Sequence, residues 1–264
     1  MCIEEPVGID STRRQCYPDI MQSSSCEALV LGTMDYREAD RIVTLFTLEH
    51  GKVRGIARGA KKSVRRFGGA LELFARLRTD LVLREGLAGI NSVDIVTVFP
   101  AIRKDLEKIG LAGYACELID AFLPEGMCNP RLFRLLNAYL EHLDSFPAST
   151  SDRRFFEMNF LNVLGYCPSL EQCATCGGKL DGSAWTRHSK AADGLFCALC
   201  GRGGNPVSME TVLLLRQTLL TGRFAVILFP PPELEQAGNF LDCAIAAHLQ
   251  RPLKALSFLR EIGE

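Results

Sequence analysis

Four cysteines in two pairs constrain this chain more than any other stretch of it. They read Cys173-Ala-Thr-Cys176, then twenty residues, then Cys197-Ala-Leu-Cys200, which is the C-x2-C, C-x2-C spacing of a four-thiolate zinc site. Two intervening residues let a tight turn aim both sulfurs of a pair at one ion, and a glycine follows each pair, Gly177 and Gly201. Glycine accepts positive φ, so the turn can direct backbone N–H groups back at the thiolates. A lone C-x-x-C is also a redox motif; two at this separation favour one bound Zn2+. Four protein ligands leave no open position for water, so the ion is expected to be structural rather than catalytic. His188 is mid-loop, outside either pair, and Cys167 is followed by Pro168 without a turn partner; both are weaker ligands. The H-x-E and P-C-x-x-C pattern of zinc deaminases is absent, since Gln172 and Phe196 precede the two pairs.

The clip has to be placed within 264 residues, 47% of them apolar, enough for roughly two domains with cores of their own. Residues 1–24 mix serine, cysteine and charge without periodicity and read as a flexible leader, with Met21 a second candidate start. From residue 25 to 99 the text is written in short β-rich runs: Ala28–Leu31, Arg41–Leu48, Lys52–Ala60, Phe74–Leu83 and Ile90–Phe99. Turn signals His50-Gly51 and Glu85-Gly86 separate them, and the break at residues 61–70 has room for a helical cap. Such a segment suits a small closed barrel of the OB-fold type, with an SH3-like barrel as competitor. After Pro100 the period changes to helical: Ile102, Leu106, Ile109, Gly113 and Cys116; Leu132, Leu135, Leu136, Tyr139, Leu140 and Leu143; then Phe156, Phe160, Val163 and Leu164. Ser208 is an N-cap for a further helix, Glu233–Gln250 is amphipathic, and Pro252 introduces a last short one. The expected fold is therefore an N-terminal OB-fold β-barrel followed by an all-α domain over 100–264, into which a four-cysteine zinc finger at 167–205 is inserted. In the finger, Trp185, Leu195 and Phe196 can cover a small hairpin beside the metal.

No apolar run reaches the ~18 residues of a membrane span, and the first twenty residues carry Glu4, Glu5, Asp10 and Asp19 without a hydrophobic stretch. The remaining cysteines are scattered, which suits a reducing compartment. A cytoplasmic, nucleoid-associated protein with no membrane partner is expected.

The chemistry-bearing feature besides the cysteines is charge. Nine basic residues against the single acid Glu72 lie between Lys52 and Arg78, in a chain whose net charge is −1. Those from Lys52 to Arg66 are uninterrupted by any acid: Lys52, Arg54, Arg58, Lys61, Lys62, Arg65 and Arg66. A solvated charged face normally interleaves both signs, so this run favours a polyanion site that reads backbone charge. Period two places Lys52, Arg54, Ile56 and Arg58 on one face of the third strand, expected to meet solvent or ligand. Arg37 in the first inter-strand loop and Arg76 and Arg78 on the fourth strand complete the candidate DNA-binding set. Catalytic signatures fail: Gly59-Ala60-Lys61-Lys62-Ser63 lacks the glycine before lysine of a phosphate-binding loop, and the histidines at 50, 142, 188 and 248 are dispersed. The chain reads as no enzyme.

These residues carry a resemblance. EALVLGTMDYREADRIVTLFTLEHGKVRGIARGAKKSVRRFGGALELF, Glu27 to Phe74, resembles the N-terminal domain of the RecO family of bacterial recombination mediators, and FPAIRKDL, LPEGMCNPRLFRLL, LNVLGYCPSLEQCATCG and HLQRPLKALSFL continue it to Leu259. The resemblance implies an OB-fold, a helical domain and a zinc finger that some relatives lack. It further implies binding of single- and double-stranded DNA, annealing of complementary strands coated by the single-stranded DNA-binding protein SSB, and work with RecR to help load RecA. Contact with the acidic, hydrophobic-ended tail of SSB is implied for the helical domain, where Arg103, Lys104, Arg131 and Arg134 are candidates and ordinary surface charge is an equal reading of each. Two other classes stand against it: a zinc-dependent hydrolase or nuclease, whose open three-ligand site is missing, and a protein-binding scaffold with incidental DNA affinity.

Overall fold

A computed structural model describes residues 22–262 apart from 68–69, 181–185, 190–191 and 202–203. Residues 1–21 of the expected leader and Trp185 lie outside the described residues.

Strands β1 (Gln22–Tyr36), β2 (Asp40–Thr47), β3 (Gly51–Ala57), β4 (Arg76–Leu83) and β5 (Ala88–Thr97) close a barrel in the order β1-β2-β3-β5-β4. They coincide with the five β-rich runs, and a short helix, α1 (Val64–Phe67), fills the break between β3 and β4. The long β1 bends at a register shift between Val30 and Gly32, so its first half pairs with β4 and its second with β2. Ser23 and Ser24 pair with Val82 and Leu81, which puts residues 22–24 in the sheet rather than in the leader. Closure comes from a short parallel contact, Gly55 opposite Ala88 and Ile56 opposite Gly89. Glycine is required there, because a Cβ on Gly55 would lie 2.8 Å from Ile90 Cγ1.

Alternation along the strands feeds two cores at once. Ala28, Val30, Val43, Leu45, Leu77 and Leu81 fill the barrel. Leu29, Leu31 and Phe46 point the other way into the helical core, where the Phe46 ring meets Phe133 at 5.7 Å. Sheet faces that would otherwise be wet are thereby buried on both sides.

The helical region comprises α2 (Leu106–Phe122), α3 (Pro130–Ser145), α4 (Thr150–Leu164), α5 (Met209–Leu220), α6 (Pro231–Ala246) and α7 (Lys254–Glu261). Side-chain caps start three of them: Asp105 accepts from Glu107 N and Lys108 N, Asn129 from Leu132 N, and Ser208 from Thr211 N. Each satisfies donors the first turn leaves orphaned. Helix α4 ends at Gly165, whose φ of 78° is natural only to glycine. Between α4 and α5 lies a small sheet of β6 (Thr186–Ser189), β7 (Ala192–Phe196) and β8 (Asn205–Val207), in the order β7-β6-β8. The expected hairpin thus gains a third strand, because the chain leaving the second cysteine pair returns along β6 to bury Val207 in the helical core. Among the described residues, no helix is long and apolar enough to cross a membrane.

Barrel and helices are joined at the β2–β3 hairpin. Gly126 N donates to Lys52 O at 2.8 Å, and Cys128 Sγ to Leu48 O at 3.1 Å. Gly51 has φ of 67°, and a side chain there would overlap the Met127 carbonyl.

Candidate nucleic-acid interface and metal centre

The register of the barrel sorts the expected cations into two ends. Thr47 pairs with Gly51 at the helical end of β2 and β3, and Arg41 with Ala57 at the far end. At the helical end, Lys52 is only 8% exposed. Its ammonium donates to the Asp120 carbonyl and lies 3.2 Å from the Asp120 carboxylate, so it caps the last turn of α2. Ile56 is buried as well, and Arg54 is the one exposed residue within β3. The expectation of an open basic face along this strand is therefore corrected: α2 and the 124–128 loop cover the Lys52 end of it.

At the far end, the turn after β1 and the loop after β3 are tied together. Lys61 N donates to Ala39 O at 3.0 Å, Gly59 N to Asp40 Oδ1 at 2.8 Å, and Lys61 Nζ lies 2.7 Å from Asp35 Oδ2. Arg66 Nη2 closes the loop by donating to Arg58 O at 2.7 Å, and Gly59 permits the turn with φ of 70°. This brings Arg37, Arg58, Lys61, Lys62 and Arg66 to one tip of the barrel, all exposed. Arg66 lies over the ring of Phe67, a core residue, at 5.0 Å, whereas Arg37 lies over the exposed Tyr36 ring at 5.1 Å, and that pairing of cation and accessible flat surface suits a nucleic-acid strand. Arg65 belongs to α1, with its side chain outside the described residues.

Arg76 and Arg78 are not at this tip. They face Glu27, whose Oε2 is 2.7 Å from Arg76 and Oε1 4.0 Å from Arg78, and Arg76 also approaches Glu141 of α3 at 3.6 Å. Arg76 lines a cavity of about 510 Å³ between barrel and α3, with Leu48, Phe133, Arg134 and Asn137.

Sequence reasoning missed Arg41 and the acids beside the basic loop. Arg41 Nε is 3.2 Å from Asp35 Oδ1 and its Nη1 is 2.9 Å from Glu72 Oε1. Hydrogen bonding to Lys61, assisted by Arg41, holds the Asp35 carboxyl below its ordinary range. The run from Lys52 to Arg66 has no acid along the chain, but the β1–β2 hairpin carrying Asp35, Glu38 and Asp40 lies against it. The signal was available: a tight turn at 37–39 makes Asp35 and Arg41 cross-strand partners.

The sulfurs of Cys173, Cys176, Cys197 and Cys200 all lie within 4.8 Å of one another, and Cys176 and Cys197 are 4.0 Å apart. Tetrahedral zinc with Zn–S near 2.3 Å sets sulfurs roughly 3.8 Å apart, so these four can hold one metal ion after a small contraction. Gly177 N donates to Cys173 O, and Cys200 N and Gly201 N donate to Cys197 O, forming the two turns read from the glycines. Backbone N–H groups of Cys176 and Cys197 lower the Cys173 thiol to about 6, whereas the neighbouring sulfurs of Cys197 and Cys176 push Cys200 up to about 12. Four thiolates this close repel one another, a cation among them would offset that charge, and an all-sulfur donor set suits a soft or borderline ion.

The candidate partner-binding cations are all exposed but form two groups. Arg103 and Lys104 lie beside the C-terminal end of α3, where Asp144 accepts from Ala101 N. Arg131 and Arg134 are in its first turns, about 15–20 Å away at 1.5 Å per residue.

Comparison with known proteins agrees with this architecture. The family model described as Recombination protein O N terminal matches residues 21–99, and that for Recombination protein O C terminal matches 103–257. The DNA repair protein RecO of Geobacter sulfurreducens is 62% identical over 242 residues, covering 92% of this chain and 99% of the relative. Its namesakes in Geobacter metallireducens and Pelobacter propionicus are 57% and 46% identical, each again covering 92% of this chain and 99% and 98% of the relatives.

Proposed function

Because the chain belongs to the RecO family of DNA repair proteins, we propose that it is a non-catalytic recombination mediator that binds single- and double-stranded DNA through the far tip of its barrel. The observation that carries this reading is the gathering of Arg37, Arg58, Lys61, Lys62 and Arg66 around two loops tied by the Lys61–Ala39 and Gly59–Asp40 hydrogen bonds. Arg54, exposed on β3, extends the cationic track, and Arg65 follows it in α1. Cations on fixed loops neutralise phosphates on one strand and lower the cost of bringing a second polyanion beside it. Annealing needs that and no bond made or broken. Arg76 and Arg78, at the other end and paired with Glu27, are secondary contacts at most, and Lys52 is assigned to the domain junction.

With about four to six cations meeting single-stranded phosphates together, the log–log salt slope of binding should be about −3 to −4. Neutralising Arg58, Lys61, Lys62 and Arg66 to glutamine together should flatten that slope and weaken binding across sequences alike, read by fluorescence anisotropy on labelled oligonucleotides. An unchanged slope and affinity would remove the tip from the account.

The wider reading is annealing of SSB-coated complementary strands and assistance, with RecR, in loading RecA, in the cytoplasm beside the nucleoid. Contact with the SSB tail is assigned to Arg103, Lys104, Arg131 and Arg134. An extended peptide of about six residues spans the distance between the two pairs, and paired substitutions in a peptide-binding assay measure what each contributes. Zinc is the ion proposed for the four cysteines, as a clip that fixes the ends of an inserted segment. Incubating labelled strands with this protein, with and without chelator, distinguishes annealing from metal-dependent cleavage.

A further inference from the structure

We propose that Arg41 and Lys61 form a phosphate-binding subsite at the barrel tip, and that the Asp35 carboxylate occupies this subsite in the free protein. The inference rests on the DNA-binding reading above and adds Arg41, and the competing carboxylate of Asp35, to it.

The two oxygens of Asp35 are divided between two cations on different strands of chain. Oδ1 lies 3.2 Å from Arg41 Nε and Oδ2 lies 2.7 Å from Lys61 Nζ. Two non-bridging oxygens of a phosphodiester take the same arrangement between a guanidinium and an ammonium. The Arg41 guanidinium does not depend on Asp35 for its position. Its Nη1 is held from the other side by Glu72 Oε1 at 2.9 Å and Leu71 O at 3.4 Å. Lys61 is anchored through its backbone to Ala39. The Arg41 guanidinium therefore stays in place if Asp35 turns away, and the Lys61 ammonium, on a flexible stem whose backbone is fixed, stays within reach of the same point.

Asp35 is free to do so. Its side chain is 61% exposed, against 27% for Arg41, and it stands near the end of β1, beside Tyr36 and the turn that carries Arg37. A rotation about its side-chain bonds opens the subsite without moving the backbone. A strand that enters must replace this internal counter-ion, so affinity at the tip is held below what its cations alone would give. The same carboxylate re-forms its pairs as a phosphate leaves, which favours release of the strand. For a protein that has to let go of an annealed duplex, that sign of effect is useful.

An exposed ion pair that merely braces the loop predicts the reverse: removing it loosens Lys61 and weakens DNA binding. Asp35→Asn separates the two. Under the subsite reading, the variant binds a labelled oligothymidylate about three- to tenfold more tightly at low salt, and its salt slope steepens by roughly one unit as a further cation becomes available. The gain disappears when Lys61→Gln or Arg41→Gln is added. Glu38→Gln removes the same charge from the same hairpin and should give a clearly smaller gain. Asp35→Ser serves as the second variant, so that a folding defect peculiar to one substitution is recognised by its melting curve. Equal or weaker binding by folded Asp35 variants overturns the subsite, as does a gain matched by Glu38→Gln or one that persists without Lys61 and Arg41. Wild-type protein that fails to bind oligothymidylate at low salt would instead sink the DNA-binding reading itself.

Discussion

Glu157 is fully enclosed in α4, where its Oε1 accepts from Tyr114 Oη at 2.6 Å and Arg153 Nε at 3.0 Å, and its Oε2 from Arg154 Nη1 at 2.7 Å. Burial alone would raise its pKa, but the two guanidiniums outweigh it and hold the carboxyl below its ordinary value of 4.5. A depressed folded pKa contributes stability above the unfolded value and loses it as pH falls through the folded one. Wild-type stability should therefore drop as pH goes below about 4.5. Glu157→Gln leaves Arg153 and Arg154 to the partly exposed Asp242, costing about 3–5 kcal/mol at neutral pH. It should also flatten the acid limb of the profile, measured by denaturant titration across pH; a limb of unchanged slope would assign it to other carboxylates. None of this network was legible in the sequence. Period 3.6 picks out the Phe156 and Phe160 stripe, and neighbouring charges on a helix are read as its wet face. Here residues 151–158 are all buried, because α5 and α6 pack on α4 from further sides.

At the scale of elements, the local text was a good guide wherever the backbone itself sets the outcome. The five β-rich runs became the five barrel strands, and Asp105, Asn129 and Ser208 cap helices because a short polar side chain before an apolar run has orphan N–H groups within reach. The cysteine pairs assembled as their spacing required. What spacing did not give is β8, whose pairing with β6 depends on where the second turn returns the chain. The four cysteines close a segment between α4 and α5, and a metal ion held by them should add to its stability. Cys173→Ser with Cys176→Ser should abolish bound zinc, measured by atomic absorption, and lower the melting temperature. Affinity for DNA at temperatures where the variant stays folded should be unchanged. Selective loss of DNA binding at equal stability would make the finger part of the interface.

The whole molecule is organised by a barrel that shares its outer face with the helical core. Leu29, Leu31 and Phe46 belong to the same apolar cluster as Phe133, Leu136 and Leu140, and the β2–β3 hairpin is locked against α2 and the 124–128 loop. Lys52→Met keeps the aliphatic stem but removes the ammonium that satisfies Asp120. It should cost about 1–3 kcal/mol of stability in chemical denaturation while leaving the salt slope of DNA binding unchanged. A flatter slope with unaltered stability would return Lys52 to the DNA-binding set. The sequence by itself determined the fold class, the family and which four cysteines come together, since periodicity, turn chemistry and fixed short spacings act between neighbours along the chain. Only the tertiary structure decided which cations are available. Charge is felt through space, and the fold sends Lys52 to a helix terminus, Arg76 and Arg78 to Glu27, and the acidic β1–β2 hairpin to the side of a loop that along the chain carries no acid at all.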